Sequence, residues 1–146
     1  MPLLVGSAAI AAADIARRIF RHTQIFCPSP DPVKTWNPAD YGIPDGAVEE
    51  VSFETPDGEE LYGWYCRSEK PIASGVFCHG NTGNLTTTAE VIPHLLSAGF
   101  NVLFFDYRGF GKSTGIATFR GVISDGVTAS RFHDRIRPKD LPTVLY

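Results

Sequence analysis

Two glycine-bearing loops carry most of the residues able to do chemistry in this chain: His79-Gly80-Asn81-Thr82-Gly83-Asn84 and Asp106-Tyr107-Arg108-Gly109-Phe110-Gly111-Lys112-Ser113. In the first, two glycines permit a tight turn, and N–H groups close to a helix start can face an anion. A loop of this kind can serve as an oxyanion hole, in which the amides of Asn81 or Thr82 stabilise charge developing on a carbonyl oxygen. The plainer alternative is an ordinary strand-to-helix turn with Asn84 as a local cap. His79, with Gly80 beside it, is expected to orient this loop rather than to move protons. Asn84-Leu85-Thr86 also fits a glycosylation sequon, a weak three-residue pattern that nothing else in the chain supports.

The second loop carries two further patterns, each weaker than it looks. Gly111-Lys112-Ser113 matches the end of a phosphate-binding loop, yet that motif wants a glycine where Asp106 stands, and a carboxylate there repels phosphate. Gly111-Lys112-Ser113-Thr114-Gly115 is a literal G-x-S-x-G, followed by Asp125 and His133 in an order that hydrolases use. A nucleophile elbow, however, turns directly from strand to helix, whereas Ser113 lies well past the strand and the next helical pattern opens near Phe119. Asp125 and His133 fall on that one helix, too close together to come from separate strand ends. Asp106, Arg108 and Ser113 are therefore expected to hold a glycine-rich turn in shape. No metal site is expected, because His22, His79, His94 and His133 share no ligand spacing with one another or with the cysteines.

The elements that position these loops follow from the apolar pattern. Gly75 to Cys78 and Val102 to Phe105 are short apolar runs suited to strands buried on both faces of a parallel sheet. Between them a helical segment, with capping-box spacing at Thr87 and Glu90, closes at Ser97-Ala98-Gly99, so the unit reads as βαβ. Both loops then leave the carboxyl edge of the sheet, where open α/β sheets bind ligands. Val48 to Thr55, the turn Pro56-Asp57-Gly58 and Leu61 to Cys66 read as an antiparallel hairpin. Phe119 to Ile136 reads as a helix whose core stripe is Phe119, Val122, Ile123, Phe132 and Ile136, loosened by Gly121 and Gly126. Leu141 to Tyr146 reads as a last buried strand. Five prolines between Cys27 and Gly46 mark an extended connector that no regular element is expected to cross.

A length of 146 residues suits one domain with a real core. Hydrophobic residues at 43% and charged residues at 20% are an ordinary globular balance. The net charge is −3 and the basic residues are scattered apart from Arg17, Arg18 and Arg21, which argues against a nucleic-acid partner. Cys27, Cys66 and Cys78, an odd number without CxxC spacing, signal neither a disulfide framework nor zinc, and a cytoplasmic, reducing setting is expected. Leu3 to Ala13 is apolar but is cut off by Asp14, short of the roughly 20 residues of a spanning helix. Ile10, Ile15, Ile19 and Phe20 followed by arginines fit an amphipathic helix lying on the domain, or weakly on a membrane surface. The expected organisation is thus 1–26 for this segment, 27–47 for the connector and 48–146 for the α/β domain.

HGNTGN after a strand, followed by FNVLFFDYRGFGKSTG, resembles the α/β-hydrolase family, in the branch with an HGN oxyanion motif that includes serine aminopeptidase-like and lysophospholipase-like hydrolases. The resemblance runs from about Val48 to Tyr146. It implies strands Val48 to Thr55, Leu61 to Cys66, Gly75 to Cys78, Val102 to Phe105 and Thr143 to Tyr146 in the order 1-2-4-3-5, an antiparallel hairpin leading into a mostly parallel sheet. It implies a small-molecule ester or a peptide as substrate, no cofactor, and oxyanion amides at Asn81 and Thr82. In the family the fifth strand runs straight into the nucleophile elbow, with the acid and the histidine later still. This sequence stops where the elbow is due, so the resemblance implies an incomplete fold, the front portion of a serine hydrolase, inactive as these 146 residues alone. The alternative is a non-catalytic assembly module, in which the open edge at Thr143 to Tyr146 pairs with another chain.

Overall fold

The computed structural model describes Ala13 and residues 25–145; the expected amphipathic segment, apart from Ala13, Ile25 and Phe26, lies outside the described residues. Five strands form one sheet: β1 (Val48–Glu54), β2 (Glu60–Cys66), β3 (Ala73–Phe77), β4 (Phe100–Phe105) and β5 (Thr143–Leu145). Their spatial order is β1-β2-β4-β3-β5, as the resemblance implies. β1 and β2 pair antiparallel with Phe53 opposite Leu61, and β2 meets β4 antiparallel. β3 and β4 run parallel with Phe77 opposite Phe104, so the loops that follow them leave from the same edge.

Strand periodicity divides the core in two. Tyr62, Trp64, Cys66, Phe77, Val102 and Phe104 face one side and pack against α1 (Ile92–Ser97) and the turns before it. Phe53, Leu61, Tyr65, Val76, Leu103 and Phe105 face the other, against α2 (Phe119–Ile136). Phe104 and Phe105 are both fully buried, one on each face, and each such side chain contributes on the order of 2–3 kcal/mol through burial. Phe77 stacks on Phe104 and Phe53 on Phe132, with ring centroids 4.3 and 4.4 Å apart.

Four expectations change. The β3–β4 crossover is not one helix capped at Thr87 and Glu90. It winds through 3-10 turns at Leu85–Thr87 and Ala89–Val91, and only Ile92–Ser97 is α-helical. The reciprocal box is Asn84 with Thr87, and the run of three threonines that follows has low helix propensity. α2 has the expected extent but turns a different face inward: Ile123 is 68% exposed while Asp125 and His133 are fully buried. The connector does take regular structure. Cys27–Pro28 pairs in parallel with Thr82–Gly83, Pro38–Tyr41 forms a 3-10 turn, and Tyr41 and Ile43 join the core. β5 is an edge strand bonded to β3, with Thr143 and Val144 exposed rather than buried. No helix among the described residues is long and apolar enough to cross a membrane.

Candidate active site

β3 delivers the first loop and β4 the second, and Asp106, the first residue past β4, ties the two together. Its carboxylate is fully buried, and Oδ1 accepts a hydrogen bond from the Leu85 amide at 2.6 Å. Gly111 makes room for it: φ there is +51°, and a Cβ would fall inside the van der Waals shell of Asp106 Oδ2. His79 is buried over the same carboxylate, with Nε2 3.3 Å from Oδ1. Its Nδ1–H donates to the Gly80 carbonyl at 2.7 Å, and the rings of Tyr107 and Phe110 pack against the imidazole. Gly80, Asn81 and Thr82 are exposed at the tip of the loop, at the sheet's carboxyl edge.

The loop is also held from the side. Asn84 is buried; its Nδ2 donates to the carbonyls of Ser29 and Asp31 at 3.0 and 2.7 Å, while its Oδ1 accepts from the Thr86 amide at 3.0 Å and from the Thr86 hydroxyl at 2.5 Å. The Cys27 amide donates to Asn81 O and the Ser29 amide to Gly83 O, both at 2.8 Å. Ser29 O accepts a second bond, from the Gly111 amide at 3.1 Å, and thereby touches both loops. The chain from Ile25 to Asp31 is a strap across the candidate site.

Arg108 organises the far side of the second loop. Its guanidinium bonds the buried carboxylate of Asp125 at 2.8–3.2 Å and the exposed carboxylate of Asp57 at 2.7 and 3.0 Å. The backbone amide of Arg108 also donates to Asp125, at 2.9 Å. Gly121 lets the side chain pass beneath the first turn of α2, since a Cβ there would lie 2.5 Å from Arg108 Cδ. The Arg108 guanidinium and the Thr55 hydroxyl hold Asp57 well below the usual carboxylate range. Burial raises the Tyr107 hydroxyl, with Cys78 beside it adding to the shift.

The G-x-S-x-G serine has no triad around it. Ser113 Oγ donates to the Asp106 carbonyl at 2.7 Å and accepts from the Tyr62 amide at 2.9 Å. Asp125 is taken up by Arg108, and His133 Nε2 lies 2.7 Å from Ser74 Oγ near the start of β3, away from the loops. The described residues hold no group of three or more His, Cys, Asp or Glu side chains able to hold a metal ion. Sequence reasoning missed Asp57 as the second partner of Arg108, and it missed the strap. Asp57 looked only like part of a hairpin turn, and no local signal joins Ser29 to Asn84, 55 positions later.

A family model described as "alpha/beta hydrolase fold" matches residues 76–137. The protein YfhR of Escherichia coli K12, itself uncharacterised, is 34% identical over 109 residues, covering 69% of this chain and 38% of YfhR. The lysophosphatidylserine lipase ABHD12 of Danio rerio is 32% identical over 107 residues, 69% of this chain and 26% of the lipase. Among solved structures, the Pyrococcus furiosus esterase Pf2001 superposes with a TM-score of 0.64 at 26% identity, over 84% of this chain and 47% of the esterase. The chain thus spans less than half the length of each of these proteins. With its two loops in tandem on strands ordered 1-2-4-3-5, the chain belongs to the α/β-hydrolase family.

Proposed function

We propose that these residues form the oxyanion side of a serine ester hydrolase site. When a serine oxygen adds to the carbonyl carbon of an ester, the carbonyl oxygen takes up the negative charge, and the amides of Asn81 and Thr82 are the donors assigned to it. The observation that carries this reading is the exposed Asn81-Thr82 tip, held by Asp106 from below and by the strap from the side. Such anchoring keeps N–H groups aimed before charge develops, and that preorganisation is what makes an oxyanion hole effective. His79, Gly80, Asp106, Arg108 and Ser113 shape the two loops. The substrate class is a small carboxylic ester, in keeping with the esterase and lipase names among the relatives; a peptide bond is the other acyl substrate the chemistry allows. The reading calls for no cofactor.

Ser113, Asp125 and His133 have other partners, so the nucleophile, acid and general base are assigned to residues outside these 146, and the chain alone turns over no ester. A fluorophosphonate probe and an activated acetyl ester are expected to give neither labelling nor turnover with the purified chain; covalent labelling of Ser113 overturns the assignment. Titrating a 15N-labelled sample with a methylphosphonate monoester is expected to shift the Asn81 and Thr82 amide signals, and unmoved signals there would remove the oxyanion role.

A second reading rests on β5, whose partner among the described residues is β3 on one side, with Val144 40% exposed. An open edge of this kind can pair with another chain. Light scattering during size-exclusion chromatography distinguishes the two: a stable soluble dimer favours assembly through the edge, and a monomer removes it.

A further inference from the structure

Lys112 sits in the Gly111-Lys112-Ser113 run that matches the end of a phosphate-binding loop, yet its ammonium turns into a corner walled by two aromatic rings. Nζ lies 4.3 Å from the centroid of the Tyr62 ring and 4.8 Å from that of Trp36. The two rings stand nearly perpendicular, 87° apart in plane with centroids 5.8 Å apart, and so wall the ammonium from two directions. Nζ also donates to the Tyr62 hydroxyl at 3.1 Å, and Glu50 Oε2 lies 3.7 Å away. Ring faces, a hydroxyl lone pair and a carboxylate each attract an ammonium group, and together they define a site for one. Burial first, and the Glu50 carboxylate second, raise the Tyr62 hydroxyl, which keeps it a neutral phenol.

Three separate stretches of chain build this corner: the connector gives Trp36, the β1–β2 hairpin Glu50 and Tyr62, and the second loop Lys112. Tyr62 pairs with Ser52, two residues along β1 from Glu50, so the strand period sets carboxylate and phenol on one face of the sheet. Tyr62 is buried and also accepts a bond from Trp64 Nε1 at 2.9 Å, so the floor of the corner belongs to the core. The Lys112 side chain, by contrast, is 38% exposed. Its neighbour Gly111 is where the corner meets the candidate site. A Cβ on Gly111 would fall inside the van der Waals shell of Asp106 Oδ2 and lie 3.0 Å from Trp36 Cη2, so this backbone is wedged between the buried carboxylate and the indole. The Gly111 amide donates to Ser29 O of the strap at 3.1 Å. A contact that fixes Lys112 against Trp36 therefore also fixes the peptide that joins the strap to the second loop.

We propose that Trp36, Tyr62 and Glu50 form a site for an alkylammonium group, that the Lys112 side chain is its resident ligand, and that this contact positions Gly111 between the strap and the candidate site. Lys112 is then a positioning residue that acts through Gly111, and its charge rather than its stem carries the effect. The proposal does not rest on the oxyanion reading, because cation binding and backbone opening report it without turnover.

Hydrogen exchange of the Gly111 amide in the whole chain tests it, with Lys112 replaced in three ways. Exchange follows the population of locally open forms. Lys112→Ala and Lys112→Met are expected to exchange Gly111 on the order of tenfold faster than the wild-type chain, the effect that two partly exposed cation–π contacts support, while Lys112→Arg stays within about twofold. A methionine variant as slow as wild type would mean that the stem alone does the holding, and would overturn the proposal. Shortening the side chain also opens the corner to a cation from solution, and n-propylammonium supplies the atoms that Lys112→Ala removes. In Lys112→Ala, n-propylammonium chloride is expected to slow Gly111 exchange and to shift the Trp36 indole N–H signal, whereas 1-propanol or sodium chloride at the same concentration does neither. Equal rescue by 1-propanol, or unmoved exchange and indole signals with n-propylammonium, overturns the ammonium site.

Discussion

Replacing Asn84 by alanine probes the join between the strap and the first loop most directly. The carboxamide makes four hydrogen bonds: Nδ2 to Ser29 O and Asp31 O, Oδ1 from the Thr86 amide and hydroxyl. Each bond is worth about 0.5–1.5 kcal/mol net. The two carbonyl partners sit on a partly exposed strap and regain water after truncation, whereas the Thr86 groups are buried and do so less easily. Counting the Thr86 pair near full value and the strap pair at a fraction gives a destabilisation of about 2–3 kcal/mol. Urea unfolding followed by the fluorescence of Trp36 and Trp64 measures it. Amide exchange of Gly111 and Ser29 reports where the loss falls, because both amides bond within the strap contact. Asn84→Asp separates the two halves, since it keeps an oxygen for Thr86, loses both Nδ2 donors and faces two carbonyls with a carboxylate. It is expected to speed Gly111 exchange as much as alanine does. An alanine variant within about 0.5 kcal/mol of wild type with unchanged Gly111 exchange would refute the idea that Asn84 holds strap and loop together.

Removing one partner of the buried ion cluster has a larger expected cost. Asp125→Ala leaves the Arg108 guanidinium with the exposed Asp57 alone, and a loss of about 3–5 kcal/mol in urea unfolding is expected; a loss under about 1 kcal/mol would contradict the buried pairing. Gly111→Ala collides with Asp106 in a left-handed backbone conformation, and a lower thermal midpoint with a shifted Leu85 amide signal is expected. His133 is held below its ordinary value by burial first, with Arg137 and Lys139 adding to the shift and Asp134 opposing it. Between that lowered value and the unfolded-chain value of about 6.5, the unfolded state binds more protons. Stability is therefore expected to fall as pH drops below about 6.5, and His133→Gln should flatten that slope between pH 7 and 5.5; an identical slope in the variant would refute the assignment.

Where the sequence was legible, burial on both faces made it so. β3 and β4 stand out as apolar runs because neither face of their sheet meets water, and the hairpin was marked by its turn. α2 was legible in extent but not in orientation. Its stripe counted Ile123 as core, yet the inward positions are polar because Arg108 and Ser74 wait there for Asp125 and His133. A hydrophobic pattern cannot register a core position whose partner is a charge 17 residues away or a hydroxyl 59 away. The capping box slipped for a related reason: Thr87 and Glu90 have the spacing, but Asn84 with Thr87 has the bonds.

The strap shows why the two loops could be placed from sequence while their support could not. The HGNTGN loop announces itself by glycines at fixed offsets, a local property. Its rigidity is not local, because backbone groups of Cys27 and Ser29 bond Asn81, Gly83 and Gly111, and main-chain partners leave no mark on residue type. The prolines that read as a barrier to structure fit this arrangement: a chain that must cross two loops without folding on itself does so best with fixed φ angles and few competing N–H donors. An oxyanion hole depends on donors that do not move when charge appears. On the proposed oxyanion reading the connector belongs to the site as much as the loop it braces, and cutting the chain after Asp31 should loosen Gly83 and Gly111 while leaving the pairing of β3 with β4 intact.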